Sequence, residues 1–446
     1  MAGGNWTAQN KVRPGIYINF TTRGSQTLTL GSRGTAAICR PLSWGPPGEI
    51  MTIDAGADTT AFIGWGITTE QARFLREMFK GTDVTGGPTK VLLYRPEAAG
   101  AAAASAALGE ITVTARYPGV RGNAISVVSA EDIDDAGTYT VTTLVDGKQV
   151  DLQRAKTAGE LSANGWVTFS GTGALSANAG VTLSGGADGT PDAAAYAAFL
   201  DALEPYNFDI LAYDGTDSTV NQALIAFVKR ISAQEGRYCQ LVTTGAEQAD
   251  SRFVINCASG AALEDGTVLT PQETVWWLAG AQAGAQYHQS LSYAIYPGAK
   301  DVVPRLSGSQ IEAAIQAGSL TLAEEFGKVR IETDINTLVS FTPEIGEVFH
   351  KNRSMRVCNT LANDIYREFS LHYLGKVNNN EEGRGLFKGA VLDYLLEMYS
   401  RGALRQRPAG EDVEVLMGSS IDSIVINLGL YLADAVEKIY MTITVS

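Results

Sequence analysis

The sequence contains a strand-like run at residues 438–446, KIYMTITVS, in which apolar and polar residues alternate. A second run of this kind, PGIYINF, occupies residues 14–20. Alternation with a period of two is typical of a half-buried β-strand. Because unpaired backbone N–H and C=O groups beside apolar surface are costly, each run either returns to its own sheet or adds a strand to a neighbouring molecule. The second alternative predicts a protein that builds arrays.

Length and charge restrict the class of protein further. A chain of 446 residues with 45% hydrophobic and 18% charged residues buries ordinary cores, and its length predicts roughly three domains. The formal net charge is -14. Because binding to phosphate groups requires a cationic surface, this charge argues against nucleic acid as the main partner.

The cysteines and the apolar segments predict a protein made and folded in a cytoplasm. Cys39, Cys239, Cys257 and Cys358 are scattered and form no C-x-x-C pair, so reduced thiols fit better than a zinc site or a disulfide framework. The first residues, MAGGNW, lack the basic start and apolar core of a signal peptide. Apolar stretches are broken before the roughly 18 residues that a membrane span needs, and we expect no membrane partner.

Changes in local pattern predict several domains. A segment rich in Ala and Gly follows residue 97, and the next segment has short strands separated by Gly, Asp and Asn. Strands alternating with helices then predict an α/β domain. The expected organisation is an extended arm at 1–20, an α/β segment at 21–97, a small β-sandwich or barrel at 105–188, a middle α/β domain at 190–335, a C-terminal segment at 336–429 and a strand arm at 430–446.

Residues typical of catalysis are sparse. The three histidines, His288, His350 and His372, lie in no H-E-x-x-H motif, and packing or capping roles are expected for them. The chain has no phosphate-binding loop of the G-x-x-x-x-G-K-[ST] type and no G-x-S-x-G elbow. We therefore expect no enzyme activity, no cofactor and no metal site.

Basic residues cluster near a predicted helix at 385–401, against the acidic background. They are Arg384, Lys388, Arg401, Arg405 and Arg407. They either solvate the helix ends, where cations complement the helix dipole, or form a contact for an acidic partner.

Several segments resemble the tail sheath proteins of contractile-tailed bacteriophages and phage-tail-like bacteriocins. They are RPGIYIN (13–19), GTAAICRPLSWGP (34–46), YPGVRGNAI (117–125), TVWWLAGAQAG (274–284), RVCN (356–359) with NDI (363–365), and DAVEKIY (434–440). Together they cover almost the whole chain in the order found in that family.

The resemblance implies a structural subunit rather than an enzyme. Such subunits polymerise as stacked six-fold helical rings around an inner tail tube, and contraction drives the tube through the target cell envelope. The implied partners are further copies of the chain, the tube protein, and the baseplate and tail terminator proteins. The implied location is the virion tail, after assembly in the bacterial host cytoplasm.

The resemblance also implies a fold and contact residues. The expected fold is α+β multidomain: an inner α/β body built from both chain ends (21–97 with 336–429), an inserted all-β domain, and a subtilisin-like but non-catalytic middle α/β domain. The residues expected to link subunits through the arms are Ile16, Tyr17, Ile18, Ile439, Tyr440, Thr442, Ile443 and Val445. Those expected to contact the inner tube are Arg384, Lys388, Arg401 and Arg405.

Three alternatives stay open at this point. The particle is that of an infectious phage, or it is a bacteriocin or a defective prophage particle. A hydrolase built on the middle domain would need a nucleophile, a base and an orienting acid at a defensible spacing. A β-rich adhesion protein would predict secretion, although no signal peptide is recognisable.

Overall fold

The computed structural model describes residues Ala2–Gly4, Gly15–Tyr17 and 33–445, with side chains described from residue 33 onward. The chain divides into two compact units. We call Gly31–Asn363 together with Leu432–Ser446 the large unit, and Met1–Leu30 together with Asp364–Tyr431 the small unit.

The regular elements alternate along the chain as follows. The strands are β1 (Ala2–Gly4), β2 (Gly15–Tyr17), β3 (Thr35–Cys39), β4 (Ile50–Asp54), β5 (Lys90–Tyr94), β6 (Ser105–Leu108), β7 (Ile111–Ala115), β8 (Ile125–Glu131), β9 (Tyr139–Val145), β10 (Lys148–Ala155), β11 (Val167–Ser170), β12 (Asn178–Thr182), β13 (Ile210–Ala212), β14 (Gln240–Thr243), β15 (Val254–Cys257), β16 (Gly260–Leu263), β17 (Val268–Leu269), β18 (Ala299–Val303), β19 (Ser319–Leu320), β20 (Leu322–Glu325), β21 (Lys328–Ile331), β22 (Val413–Met417) and β23 (Ile424–Leu428). The helices are α1 (Thr60–Ile63), α2 (Arg73–Phe79), α3 (Ala193–Leu203), α4 (Ser218–Gln234), α5 (Pro271–Gly284), α6 (Gly308–Gln316), α7 (Asn352–His372) and α8 (Glu381–Ser400).

A seven-stranded sheet forms the centre of the large unit. Its strand order is β19-β15-β14-β13-β3-β5-β4, and every neighbouring pair is parallel except β4 and β5. All five residues of β3 are buried, as expected for a central strand covered on both faces.

Residues of the central strands alternate between two apolar cores. Ala36 and Ile38 pack with residues of α2 and α5, whereas Ala37 and Cys39 pack with residues of α3 and α4. Because successive side chains of a strand point to opposite faces, each central strand contributes apolar side chains to both cores.

The α5 helix lies against this sheet with almost its whole surface buried. A capping box of Thr270 and Glu273 starts it, and Pro271 occupies its first position. A Cβ at Gly280 would lie 1.9 Å from the Met78 carbonyl oxygen, so only glycine permits the close approach of α5 to α2. The Trp277 indole donates to the Gly81 carbonyl at 2.8 Å and stacks on Tyr296 with ring centroids 3.9 Å apart.

The central sheet joins the first α/β segment to the middle α/β domain. The strand β3 pairs with β13 on one side and with β5 on the other, and the expected combination of residues 21–97 with 336–429 into one inner body stays a prediction. Residues 33–95 thus share one hydrophobic core with the middle α/β domain, while Asp364–Tyr431 belongs to the small unit. Residues 21–32 lie outside the described part of the chain.

Two antiparallel sheets face each other between residues 105 and 182. Their strand orders are β10-β9-β8-β12 and β11-β7-β6, and their inward side chains form one apolar core that also includes Trp44. Arg121 joins this β-sandwich to the rest of the large unit, because its guanidinium donates to the Gly64 carbonyl at 2.9 Å and lies 3.6 Å from the centre of the Trp65 ring. It also binds the Asp146 carboxylate through two hydrogen bonds, of 2.9 and 2.7 Å.

The late helix α7 begins at Asn352, just after a separate 3-10 turn at Glu347–His350. The predicted helix at 385–401 begins earlier, at Glu381, because the Asn380 side chain accepts a hydrogen bond from the Gly383 N–H. The helix α5 ends at Gly284, and His288 lies beyond it.

A buried polar cluster holds the large unit together where four chain segments meet. Asp334 and Arg356 pair at 2.6 Å with their side chains 2% and 0% exposed. The Gln282 side chain donates to Asp334 at 2.7 Å, and that of Asn352 donates to it at 2.9 Å. Gln282 also accepts from Arg356 at 2.6 Å, and Gln240 donates to Asn352 at 3.1 Å. The cluster therefore ties α5, α7, β14 and the segment after β21 into one packed arrangement.

Burial alone would raise the pKa of the Asp334 carboxyl, but the Arg356 guanidinium and the hydrogen bonds from Gln282 and Asn352 outweigh it and lower the pKa. We expect Asp334→Asn to lower the free energy of unfolding by about 3 to 5 kcal/mol, because it leaves the Arg356 charge buried without its partner. Chemical denaturation followed by circular dichroism measures this change.

The pH dependence follows from the same lowered pKa. The stabilisation by ionised Asp334 is fully present above the pKa of the unfolded chain, and it is lost as the pH falls below about 4 and then through the folded pKa. Asp334→Asn should therefore flatten the acid limb of the stability profile. Asp301→Asn, which removes an exposed ion pair with Arg305, is the control and should change little. Equal effects of the two substitutions would contradict this account.

Candidate assembly surfaces

The last residues of the chain expose their large apolar side chains. No strand is assigned from 433 to 445, and Ile439, Tyr440, Ile443 and Val445 are 79%, 91%, 75% and 89% exposed. Thr442 is exposed as well. Burial of each such apolar side chain is worth roughly 1.5 to 3 kcal/mol, so this segment is well suited to pairing with a partner.

The N-terminal residues form a short pairing of their own. The strands β1 and β2 are parallel, with Gly3 opposite Ile16 and Gly4 opposite Tyr17. Ile18, the third residue predicted for this arm, lies outside the described part of the chain.

A hairpin in the small unit provides strand edges. The strands β22 and β23 pair over five residues, from Val413 opposite Leu428 to Met417 opposite Ile424, and within the described residues they form a sheet of two strands. Leu416, Met417 and Val425 of this hairpin are 45%, 60% and 47% exposed. Edges next to exposed apolar side chains are ready templates for an added strand.

The basic residues predicted for tube contact do not form one continuous cluster. Arg384 and Lys388 share a face of α8, whereas Arg401 lies about 20 Å further along the helix axis. Arg401 pairs with Glu397 at 2.7 Å, and the Arg384 guanidinium donates to the Asn379 side chain at 3.0 Å.

Lys388 and Arg405 differ in their neighbours, which are acidic side chains for Lys388 and an aromatic ring for Arg405. Lys388 lines a groove whose other lining residues include Glu411, Asp412 and Glu414. The Arg405 guanidinium lies 5.6 Å from the centre of the Tyr431 ring. Arg405 and Arg407 are exposed after the end of α8. The surface therefore has two separate basic patches, each partly neutralised.

The histidines occupy unrelated structural positions. His372 lies 3.6 Å from Glu368 on the same helix, and burial lowers the pKa of His350. The His288 carbonyl accepts from the Arg353 guanidinium at 2.8 Å. In the described part of the chain, no three His, Cys, Asp or Glu side chains are grouped so that they could hold a metal ion.

The four cysteine thiols are held in their neutral form by burial. Burial raises the pKa of Cys239 and of Cys257 to about 12, raises that of Cys358 to about 11, and raises that of Cys39 as well.

Of the helices described here, none combines enough length with enough apolar character to cross a bilayer.

Four family models match consecutive parts of the chain. They describe the tail sheath protein Gp18 domain III N-terminal region at residues 33–95, the phage tail sheath protein beta-sandwich domain at 98–188, the phage tail sheath protein central domain at 189–337 and the phage tail sheath C-terminal domain at 344–446.

Whole-length relatives agree with these matches. The phage-like element PBSX protein XkdK of Bacillus subtilis is 34% identical over 474 residues, covering 100% of both chains. The crystal structure of a sheath tail protein from Desulfitobacterium hafniense is 38% identical, with a TM-score of 0.85 over 96% of this chain and 99% of that one. The helical sheath of the anti-feeding prophage in its contracted state shares the fold at 14% identity, with a TM-score of 0.59 over 97% of this chain and 98% of that one. The chain therefore belongs to the phage tail sheath protein family, whose members are structural components of contractile tails and injection systems.

Proposed function

We propose that this chain is the subunit that polymerises as stacked helical rings around an inner tail tube and contracts to drive that tube through the target cell envelope. The observation that carries the proposal is that one subunit contains both a segment able to donate a β-strand and a hairpin able to accept one. The donor is the exposed segment 438–445, and the acceptor is the β22–β23 hairpin. A strand added by one copy to the hairpin of the next links subunits without closing the assembly at two copies.

The alternation of the donor segment defines its two faces. In an extended strand, Ile439, Met441, Ile443 and Val445 lie on one face, and Tyr440 and Thr442 lie on the other. The first face has the apolar character to pack against the exposed side chains of the hairpin. Ile16 and Tyr17 of the N-terminal arm, together with Ile18, are proposed to add strands in the same manner.

The fold that this chain shares with the anti-feeding prophage sheath supports contraction as its activity. The partners proposed are further copies of the chain, the tube protein, and the baseplate and tail terminator proteins. The alternative to an infectious phage is a defective prophage or bacteriocin-type particle. The full-length match to a protein of a phage-like element in Bacillus subtilis supports this alternative. Assembly takes place in the bacterial host cytoplasm.

A structural role without catalysis is part of this proposal. The subtilisin-like fold of the middle α/β domain stays a prediction, and fold alone would not establish activity. A hydrolase would need an activated nucleophile, and the thiols of this domain, Cys239 and Cys257, have pKa values raised to about 12 by burial.

Removing residues 438–446, which leaves the hairpin intact, should abolish polymers in negative-stain electron microscopy and sedimentation. Ile443→Asp should do the same, because it places a charge on the apolar face of the donor strand. Thr442→Asp is the matched control on the opposite face and should polymerise with at most a modest loss. Normal tubes from both the truncated chain and Ile443→Asp would show that this segment is not the donor.

The tube contact is proposed to involve Arg384, Lys388, Arg401 and Arg405. Reversing Lys388 or Arg401 to Glu should weaken co-sedimentation with the tube about two- to fivefold per charge at low salt, and less at high salt, because exposed charges are screened. Lys148→Glu in the β-sandwich is the control, since Lys148 is exposed and remote in sequence from α8. Unchanged co-assembly of both reversed variants at low salt would exclude these residues from the contact.

A further inference from the structure

The C-terminal arm is held at one acidic residue just before its exposed segment. The Glu437 carboxylate accepts a hydrogen bond from the Ser292 hydroxyl at 2.6 Å and forms an ion pair with Lys351. The Glu437 side chain is 17% exposed, whereas the nearest large apolar side chains before and after it, Val436 and Ile439, are 82% and 79% exposed. Glu437 is therefore an anchored point within an otherwise exposed segment.

Three residues before this anchor, a weaker contact supports the same segment. Asp434 lies 3.9 Å from the guanidinium of Arg353, and Arg353 belongs to the first turn of α7. Within the described residues, 438–445 make no further side-chain hydrogen bond or ion pair to the body. Glu437 is thus the last point at which the large unit holds the arm.

The anchor connects directly to the buried polar cluster. The Ser292 hydroxyl that donates to Glu437 also accepts from the Asp334 N–H at 3.0 Å. Lys351, the cationic partner, immediately precedes Asn352, whose side chain donates to the Asp334 carboxylate. Because linked hydrogen bonds polarise and order one another, a pull on the arm is resisted by groups that are fixed in the core.

We propose that Glu437 is a positioning residue that fixes the point and direction in which the arm leaves the subunit and that carries the load between linked copies. This inference rests on the proposed function, because only an arm inserted into a neighbour carries load. Charge-assisted hydrogen bonds in a partly buried site are among the stronger polar contacts, so the Glu437 contacts are suited to hold the start of an extended segment.

Trypsin cleavage after Lys438 reports the anchor in the free full-length chain. The protease must draw residues on both sides of Lys438 into an extended conformation, which requires release of Glu437. Glu437→Gln and Lys351→Met should each accelerate release of the 439–446 peptide about tenfold, measured by intact-mass spectrometry, because cleavage tracks the population of the released arm. Lys351→Arg keeps the charge and should stay near the parent rate, and Glu381→Gln on α8 is the control for a change of net charge.

A second measurement tests the load-bearing role. Tubes of Glu437→Gln should form, because residues 438–446 are retained, but they should break at lower shear or lower denaturant than parent tubes. Parent-like cleavage rates for both Glu437→Gln and Lys351→Met would overturn the anchor, and faster cleavage with parent-like tube strength would overturn the load-bearing role. Either result leaves the proposed function standing. If the parent chain forms no polymers in the presence of the tube protein, the proposed function is overturned, and the cleavage rates still report whether Glu437 anchors the arm.

Discussion

The ion pair between Asp334 and Arg356 is the interaction on which the rest of the large unit depends. Two opposite charges with almost no exposure are tolerable only when their remaining hydrogen-bonding groups are satisfied, and Gln282 and Asn352 contribute to that. These partners come from different elements, so the pair forms only when α5, α7 and the segment after β21 are all in place. The Ser292 hydroxyl, which donates a hydrogen bond to Glu437 of the arm, also accepts one from the backbone N–H of Asp334.

Local patterns identified most elements but not their arrangement. The helix predicted at 385–401 corresponds to α8, Glu381–Ser400, because the helical period is a property of a short stretch of chain. Local patterns could not show that β3 pairs with β13, since that partnership joins segments more than 150 residues apart and both read simply as buried strands. Nor does a lone Asp in a polar segment reveal that Asp334 is buried, because its partner Arg356 lies on a later helix.

The candidate site was predictable to the same extent. The alternation of residues 438–446 predicts a segment that needs a partner, and Ile439 and Tyr440 are exposed in the single chain, so the pairing stays a prediction. For the basic residues, a sequence count of cations does not show that Arg401 pairs with Glu397 or that Lys388 shares a groove with carboxylates. Glu437 had no signal at all, since an acid within an amphipathic run normally indicates only a solvated face.

The division of the chain into two units has a consequence for the connectivity of any polymer. The chain enters the small unit within α7 and returns to the large unit at Leu432, so the hairpin and the C-terminal arm belong to different units of one subunit. If the arm of one copy is inserted into the hairpin of another, the large unit of the first copy is fastened to the small unit of the second. Each link of this kind joins the two kinds of unit, so a load that passes along these links crosses the subunit through its own covalent connections, which include those within α7 and at Leu432.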